Sequence, residues 1–275
     1  MTELLKLNYS SNLSAATEMD HFRKNDLKPQ QEKLGRGAVP VEKHDKIHRV
    51  RKLAGKSVCN IQLENDDLGS GAFYKVFDNR EEERFLVMTC HHVLPTTSTS
   101  RISQVQFKFY DIPSMKCITF DKTQVKFVWT EDILDATVIE LYPEIAARYK
   151  SYGAEFLRIG EVNPNVDVVI LQYPLGKFSI ADGDIEAVNR NGTRVLYRIG
   201  TEPGSSGSPL LDLDCVALAM HNTGQKGISS TDPNAIREAT ALSAIVRAYL
   251  EDRPNDEPKT RILKYNFLYS ICIIA

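Results

Sequence analysis

With 275 residues, 42% of them hydrophobic and 25% charged, the chain is long enough for one large or two small domains and too balanced to be disordered or fibrous throughout. A formal net charge of −2 argues against nucleic-acid binding through a broad basic surface. The cysteines Cys59, Cys90, Cys117, Cys215 and Cys272 are odd in number and contain no CxxC pair, which argues against a disulfide framework or a zinc site and leaves them as reduced thiols.

Met1 to Gln30 carry Glu3, Lys6, Glu18, Asp20, Arg23 and Lys24 and lack the apolar run of about 7–15 residues that defines a secretory signal. The expectation is an intracellular protein, cytoplasmic or nuclear, in which the sequons at Asn8, Asn12 and Asn191 carry no weight. Residues 1–55 read as a polar N-terminal extension, disordered or merely solvated, without a sustained helical or strand period. Its basic run from Lys43 to Lys52 reads first as a solvated face and second as a nuclear-targeting or anion-binding patch.

From Ser57 the pattern changes to short apolar runs between turn signals. Val58 to Leu63, Ala72 to Phe77 and Phe85 to Thr89 read as strands. Val105, Phe107 and Phe109 then alternate with Gln104, Gln106 and Lys108, and Val125, Phe127 and Trp129 alternate with Lys126 and Val128, the period of half-buried strands. Ala136 to Leu141, Val166 to Leu171, Ile185 to Val188, Val195 to Ile199 and Cys215 to Met220 follow, with turns expected at Asp182-Gly183 and Asn191-Gly192. This succession predicts an all-β fold of paired barrels or a sandwich. One helix is expected late, over 241–251, where Leu242, Ile245, Val246 and Leu250 fall at helical spacing before Pro254. Residues 252–275 form a tail whose apolar end, Ile262 to Ala275, is shorter than the ~20 residues of a membrane span.

Chemistry concentrates in Gly204-Ser205-Ser206-Gly207-Ser208-Pro209. A serine that attacks a carbonyl must sit on a tight turn whose backbone N–H groups face the developing oxyanion, and glycines permit that turn. Thr89-Cys90-His91-His92-Val93 places histidines where an apolar strand ends. Asp135 stands immediately before the apolar run Ala136 to Ile139, from which a carboxylate can hold an imidazole tautomer. The order His, Asp, Ser differs from that of subtilisins and α/β-hydrolases, and the hydrolase elbow G-x-S-x-G fails at Ser208. Gly69-Ser70-Gly71 lacks the further glycine and Gly-Lys-Ser/Thr ending of a phosphate cradle and reads as a strand start.

Over Ser57 to Leu250 the sequence resembles the chymotrypsin/trypsin-like serine proteases. The matching marks are Gly69-Ser70-Gly71-Ala72-Phe73, the T-x-x-H of Thr89 to His92, the strand at Asp135, Tyr173-Pro174-Leu175-Gly176 and the G-x-S-G-x-P at Ser206. The resemblance implies a double six-stranded β-barrel with a C-terminal helix: barrel one over about 56–150, barrel two over about 151–240, and the peptidase domain over 56–251. It also implies a serine endopeptidase with His92 as general base, Asp135 orienting it, Ser206 as nucleophile and the Gly204 and Ser206 amides as oxyanion hole. The T-x-x-H spacing favours His92 over His91. No cofactor and no metal is implied, and the partner is a protein or peptide substrate, with no nucleic acid and no membrane indicated.

Two departures from the digestive enzymes shift the expectation. Ser205 replaces the aspartate that pairs with a newly cut N-terminus, and Gly200 replaces the aspartate that selects Lys or Arg. In motif detail the chain is more similar to glutamyl endopeptidases and Deg-type proteases. Thr201 and His221 match the pair that glutamyl endopeptidases and several viral relatives, which cut after Glu or Gln, carry in the pocket, and a hydroxyl and a ring N–H can both donate to such side chains; the other reading of His221 is that it only satisfies backbone groups near the pocket wall. Glu202 nearby disfavours an acidic substrate. The alternative reading is a catalytically silent protease-fold protein that binds a peptide or protein partner.

Overall fold

The expected alternation of apolar and polar residues becomes, among the described residues, thirteen strands in one continuous sheet system. The structure, a computed structural model, describes residues 41–63, 68–224 and 235–253. The expectations for Ile262–Ala275 and for the sequons at Asn8 and Asn12 lie outside these residues.

Six strands build the first barrel: β1 (Val58–Gln62), β2 (Leu68–Phe77), β3 (Glu83–Thr89), β4 (Gln106–Phe109), β5 (Val125–Glu131) and β6 (Ala136–Leu141). They pair antiparallel in the order β4-β1-β2-β3-β6-β5. β6 is buried along its whole length and β3 on all but its first residue, as their unbroken apolar runs require. In β4 the alternation survives, with Phe107 and Phe109 inside and Gln106 outside. In β5 it does not: a register shift between Val125 and Phe127 turns Val128 inward beside Trp129. Phe73 is the centre of this core, stacked on Phe109 and Phe156 at 4.9 Å and on Tyr149 at 5.9 Å. Burying one such ring stabilises the fold by about 2–3 kcal/mol.

The second barrel closes on itself. β8 (Asp167–Gln172), β9 (Ser179–Val188), β10 (Arg194–Arg198), β13 (Ile236–Ala241), β12 (Val216–Gly224) and β11 (Pro209–Asp212) form a ring because β11 pairs with both β12 and β8. The short β7 (Leu157–Ile159) runs parallel to both β2 and β12 and joins the barrels. The turn expected at Asp182-Gly183 is absent: both residues lie inside β9, paired with Val169 and Val168. Gly183 serves close approach, since a Cβ there would come 2.1 Å from the Arg198 carbonyl oxygen. The turn at Asn191-Gly192 forms, with the Gly192 N–H bonded to the Asn189 carbonyl at 2.9 Å and Gly192 at φ 70°.

Among the described residues three helices of nine or more residues pack on the barrels, besides a single helical turn over Thr99–Ile102: α1 (Val41–Ala54), α2 (Pro143–Ser151) and α3 (Leu242–Asp252). α3 stands where the sequence places a helix and buries Leu242, Ala244, Ile245, Val246 and Tyr249. α1 replaces the polar extension expected over its residues. It buries only Val50 and Ala54, too few apolar positions to show a period, and is tied to the second barrel by Lys43, 2.7 Å from Asp167 and 3.5 Å from Asp182. α2 starts with proline in its first turn and ends with Arg148 and Lys150, the polarity that a helix dipole favours. No helix among the described residues is long and apolar enough to cross a membrane.

Candidate active site

β3 ends in a turn in which the Cys90 carbonyl accepts from the N–H groups of Val93 at 3.2 Å and Leu94 at 3.1 Å. His92 stands at its tip with 45% of its side chain exposed. Asp135 closes the turn between β5 and β6 in the left-handed region, at φ 51°, its N–H bonded to the Asp132 carbonyl at 3.1 Å. One carboxylate oxygen of Asp135 accepts the His92 backbone N–H at 3.0 Å, and the other lies 2.8 Å from Nδ1. An ionised carboxylate only accepts, so Nδ1 carries the proton and the Nε2 lone pair is left free. His91 points elsewhere, with Nδ1 2.7 Å from Thr130 Oγ1.

Asn222, at the end of β12, donates Nδ2 to Asp135 Oδ2 at 2.9 Å and is itself held by Thr240 Oγ1, which donates to its Oδ1 at 2.8 Å. Burial pushes the Asp135 carboxyl up, but the hydrogen bonds from His92 and Asn222 outweigh it and leave the group below its ordinary value. Arg194 completes the bridge between barrels, donating to Thr240 Oγ1 at 2.6 Å and to the Ile133 carbonyl.

The loop that carries Ser206 is fitted to the first barrel by two glycines in the left-handed region, Gly204 at φ 95° and Gly207 at φ 91°. A Cβ on Gly207 would come 2.0 Å from the Ser70 carbonyl oxygen, and one on Gly204 2.7 Å from that of Tyr173. Ser70 straps the loop down: its N–H bonds the Ser206 carbonyl at 2.7 Å and its hydroxyl the Gly204 carbonyl at 2.8 Å. The Pro203 carbonyl accepts from Leu175 N–H at 2.8 Å. Across a trans peptide the Gly204 N–H points the opposite way, and no hydrogen bond among the described residues uses it or the Ser206 N–H. Ser206 Oγ donates to the Asn222 carbonyl at 2.9 Å, and no Ser206–His92 hydrogen bond is formed. Asn222 thus touches both Asp135 and Ser206.

Thr201 and His221 are both buried, at 4% and 3% exposure. The Tyr197 hydroxyl lies 2.6 Å from His221 Nδ1. Burial pushes the His221 imidazole down to about 3, against the opposing pull of the Glu238 backbone, so it is neutral at physiological pH. Glu202 is half-buried beside Thr201.

The profile of the trypsin-like peptidase domain matches residues 69–220, more than half of the sequence and the span that holds all of these groups except His221, Asn222 and Thr240, which lie beyond it. The chain belongs to the trypsin-like peptidase family. Among solved structures, this chain is similar to the inactive form of a serine-to-alanine mutant of Rv3671c from M. tuberculosis H37Rv. That match has 16% identity and a TM-score of 0.55 and covers 80% of this chain and 98% of that one. It is also similar to the serine endoprotease from Yersinia pestis, with 14% identity, a TM-score of 0.52, and 78% and 69% of the two chains covered. At such identities the likeness is one of fold. A comparison with curated proteins finds no match.

Cys90, His92 and Asp135 offer metal-ligand atoms within 4.8 Å of one another. The Asn222 amide nitrogen donates into the same space, to Asp135 and to Cys90 Sγ at 3.7 Å, where a cation would meet its hydrogens. Burial holds the Cys90 thiol well above its ordinary value and so protonated. Sequence reading missed Asn222, Tyr197 and Ser70. Asn222 left one signal, a polar residue directly after His221 at the end of the apolar run Ala217 to Met220.

Proposed function

We propose that this trypsin-like peptidase is a serine endopeptidase that cleaves protein or peptide substrates through an acyl-enzyme, with Ser206, His92 and Asp135 as its triad. The observation that carries the reading is Asn222, whose carbonyl takes the Ser206 hydroxyl and whose carboxamide holds Asp135. His92 Nε2 removes the Ser206 proton as the hydroxyl attacks the scissile carbonyl. Asp135 keeps the imidazole in that tautomer and stabilises the imidazolium that forms. The Gly204 and Ser206 N–H groups take the oxyanion, and water releases the acyl group. The outward turn of the Pro203 carbonyl supports an oxyanion hole that exists without N-terminal cleavage.

Thr201 and His221 form the specificity pocket and select Gln or Glu. A neutral His221 supplies hydrogen bonding but no countercharge, and a carboxylate buried without one is costly. Glutamine is therefore preferred to glutamate. We take the peptidase unit to start at α1 rather than at residue 56, because Val50 and Ala54 are part of its core. An intracellular setting is part of the same proposal.

A fluorophosphonate should label the folded chain and fail to label Ser206→Ala. A folded chain that never labels would overturn the enzymatic reading. It would favour the second one, a silent peptide-binding protein, to which the Ser206–Asn222 bond in place of a Ser206–His92 bond lends support. Cleavage of a mixed peptide library should report Gln before Glu, and a preference for Lys or Arg would remove the pocket assignment.

A further inference from the structure

Outside the cleft, α1 and the turn that follows it face Asp111 across a cavity of about 410 Å³ lined by His48, Arg51, Lys52, Lys56 and Asp111. The basic residues of α1 divide into two sets. Lys43 is paired with Asp167 and Asp182, and Lys46 with Glu42, so those cations are matched. Arg51, Lys52 and Lys56 make no ion pair among the described residues, although all three line one concavity. Asp111 cancels one charge and the C-terminal dipole of α1 about half of another, so positive charge is left unmatched even before His48 is counted. The wall beside Arg51 is aromatic. Its guanidinium stands 6.0 Å from the centroid of Phe178, and Phe178 stacks on Tyr110 at 5.2 Å and 7°. Tyr110, next in sequence to the lining residue Asp111, is 62% exposed.

We propose that this cavity is a binding site for a small polyphosphate anion, two or three linked phosphates. An arginine fork bonds phosphate oxygens in pairs and lysines add mobile point charges, which is the donor set present. The concavity is open, with His48, Arg51 and Lys52 exposed, which suits a small anion that keeps part of its hydration. The anion relieves the mutual repulsion of the three cations, whose positions in one concavity are set by the docking of α1 through Val50 and Ala54, so it binds the folded arrangement best. Binding therefore stabilises the fold by mass action. The site is separate from the proposed active cleft and its test does not depend on peptidase activity.

The test is titration of the full chain with sodium tripolyphosphate at low salt, read by calorimetry and by the midpoint of thermal unfolding. The expected result is a dissociation constant below about 1 mM and a midpoint that rises with tripolyphosphate. Arg51→Gln/Lys52→Gln should weaken binding at least ~10-fold, the equivalent of ~1.4 kcal/mol, and abolish the midpoint shift, while Lys46→Gln behaves as the parent. Lys56→Gln gives the same reading should the double variant unfold. ATP without magnesium should bind at least as well as tripolyphosphate, and any excess should vanish in Tyr110→Ala. Absence of heat and midpoint shift, equal weakening by Lys46→Gln, or tighter binding of a single-stranded oligonucleotide at equal phosphate would overturn the proposal, the last two by showing diffuse charge or a nucleic-acid surface.

Discussion

Two carboxylates belong to the same stretch of chain and are treated in opposite ways. Asp135 stands just before β6 and Glu140 lies within it. Glu140 is 1% exposed and is gripped by permanent cations: Arg84 at 3.1 Å, Arg253 at 2.8 and 3.2 Å, and Lys126 at 3.4 Å, with the Tyr249 hydroxyl at 2.5 Å. Burial raises its carboxyl, and these partners outweigh burial and lower it. Asp135 accepts from an asparagine, a backbone N–H and an imidazole. Permanent cations fix a structure, and here they pin Tyr249 of α3 and Arg253 just beyond it to the first barrel. Neutral donors hold a carboxylate in place while leaving its charge to act on a group that, in the proposed mechanism, becomes cationic only during reaction.

Asp135→Asn tests the first half of that contrast. It should keep the fold and lower kcat about 10⁴-fold, because an amide cannot hold the same imidazole tautomer. Steady-state kinetics on a cleaved peptide, with the unfolding midpoint as control, would break the comparison if activity survived and the fold did not. His221 extends it to a buried base. Its value is pushed down from 6.5 to about 3, so the unfolded chain binds the extra proton first as pH falls. The stability owed to a neutral His221 is complete above pH 6.5 and is lost as pH falls from there towards 3, on the order of 5 kcal/mol. Urea unfolding across that window should be steeper in pH for the parent than for His221→Gln, and equal slopes would dismiss His221 as the source. Glu140→Gln should cost about 3 kcal/mol of stability, since it leaves cations partly uncompensated, with kcat close to the parent. A large fall in kcat would mean that the α3 clamp also shapes the cleft.

How much was legible in the sequence follows the same divide between local and distant causes. Strands such as β3 and β6 declare themselves through unbroken apolar runs, and the glycines around Ser206 through a turn that side chains would block. The all-β class could be read from such signals, and the double barrel from the family resemblance that they support. α1 could not, because two buried residues in fourteen set no period and its docking depends on Asp167 and Asp182 far along the chain. Asp182-Gly183 carries a turn signal, yet the glycine is there to admit the Arg198 carbonyl from a neighbouring strand. Asn222 and Ser70 act between barrels, and nothing local marks a residue whose partners lie more than eighty or a hundred positions away.

The smallest effect expected is also the one that isolates the residue shared by both halves of the site. In Asn222→Ala the backbone carbonyl that accepts from Ser206 remains, and what is removed is the carboxamide with its bonds to Asp135 and Cys90 and from Thr240. Losing that donor should cost about 1–1.5 kcal/mol in the transition state, close to a tenfold fall in kcat with KM unchanged. Fluorophosphonate labelling should slow by a similar factor and still reach completion, which separates a positioning role from loss of the fold. If the rate is unchanged, the two bonds from His92 suffice to hold Asp135 and the contrast with Glu140 rests on cations alone. If it falls as far as in Asp135→Asn, the carboxamide is what holds the carboxylate in register with the imidazole, and the neutral donor is as necessary as the charge it orients.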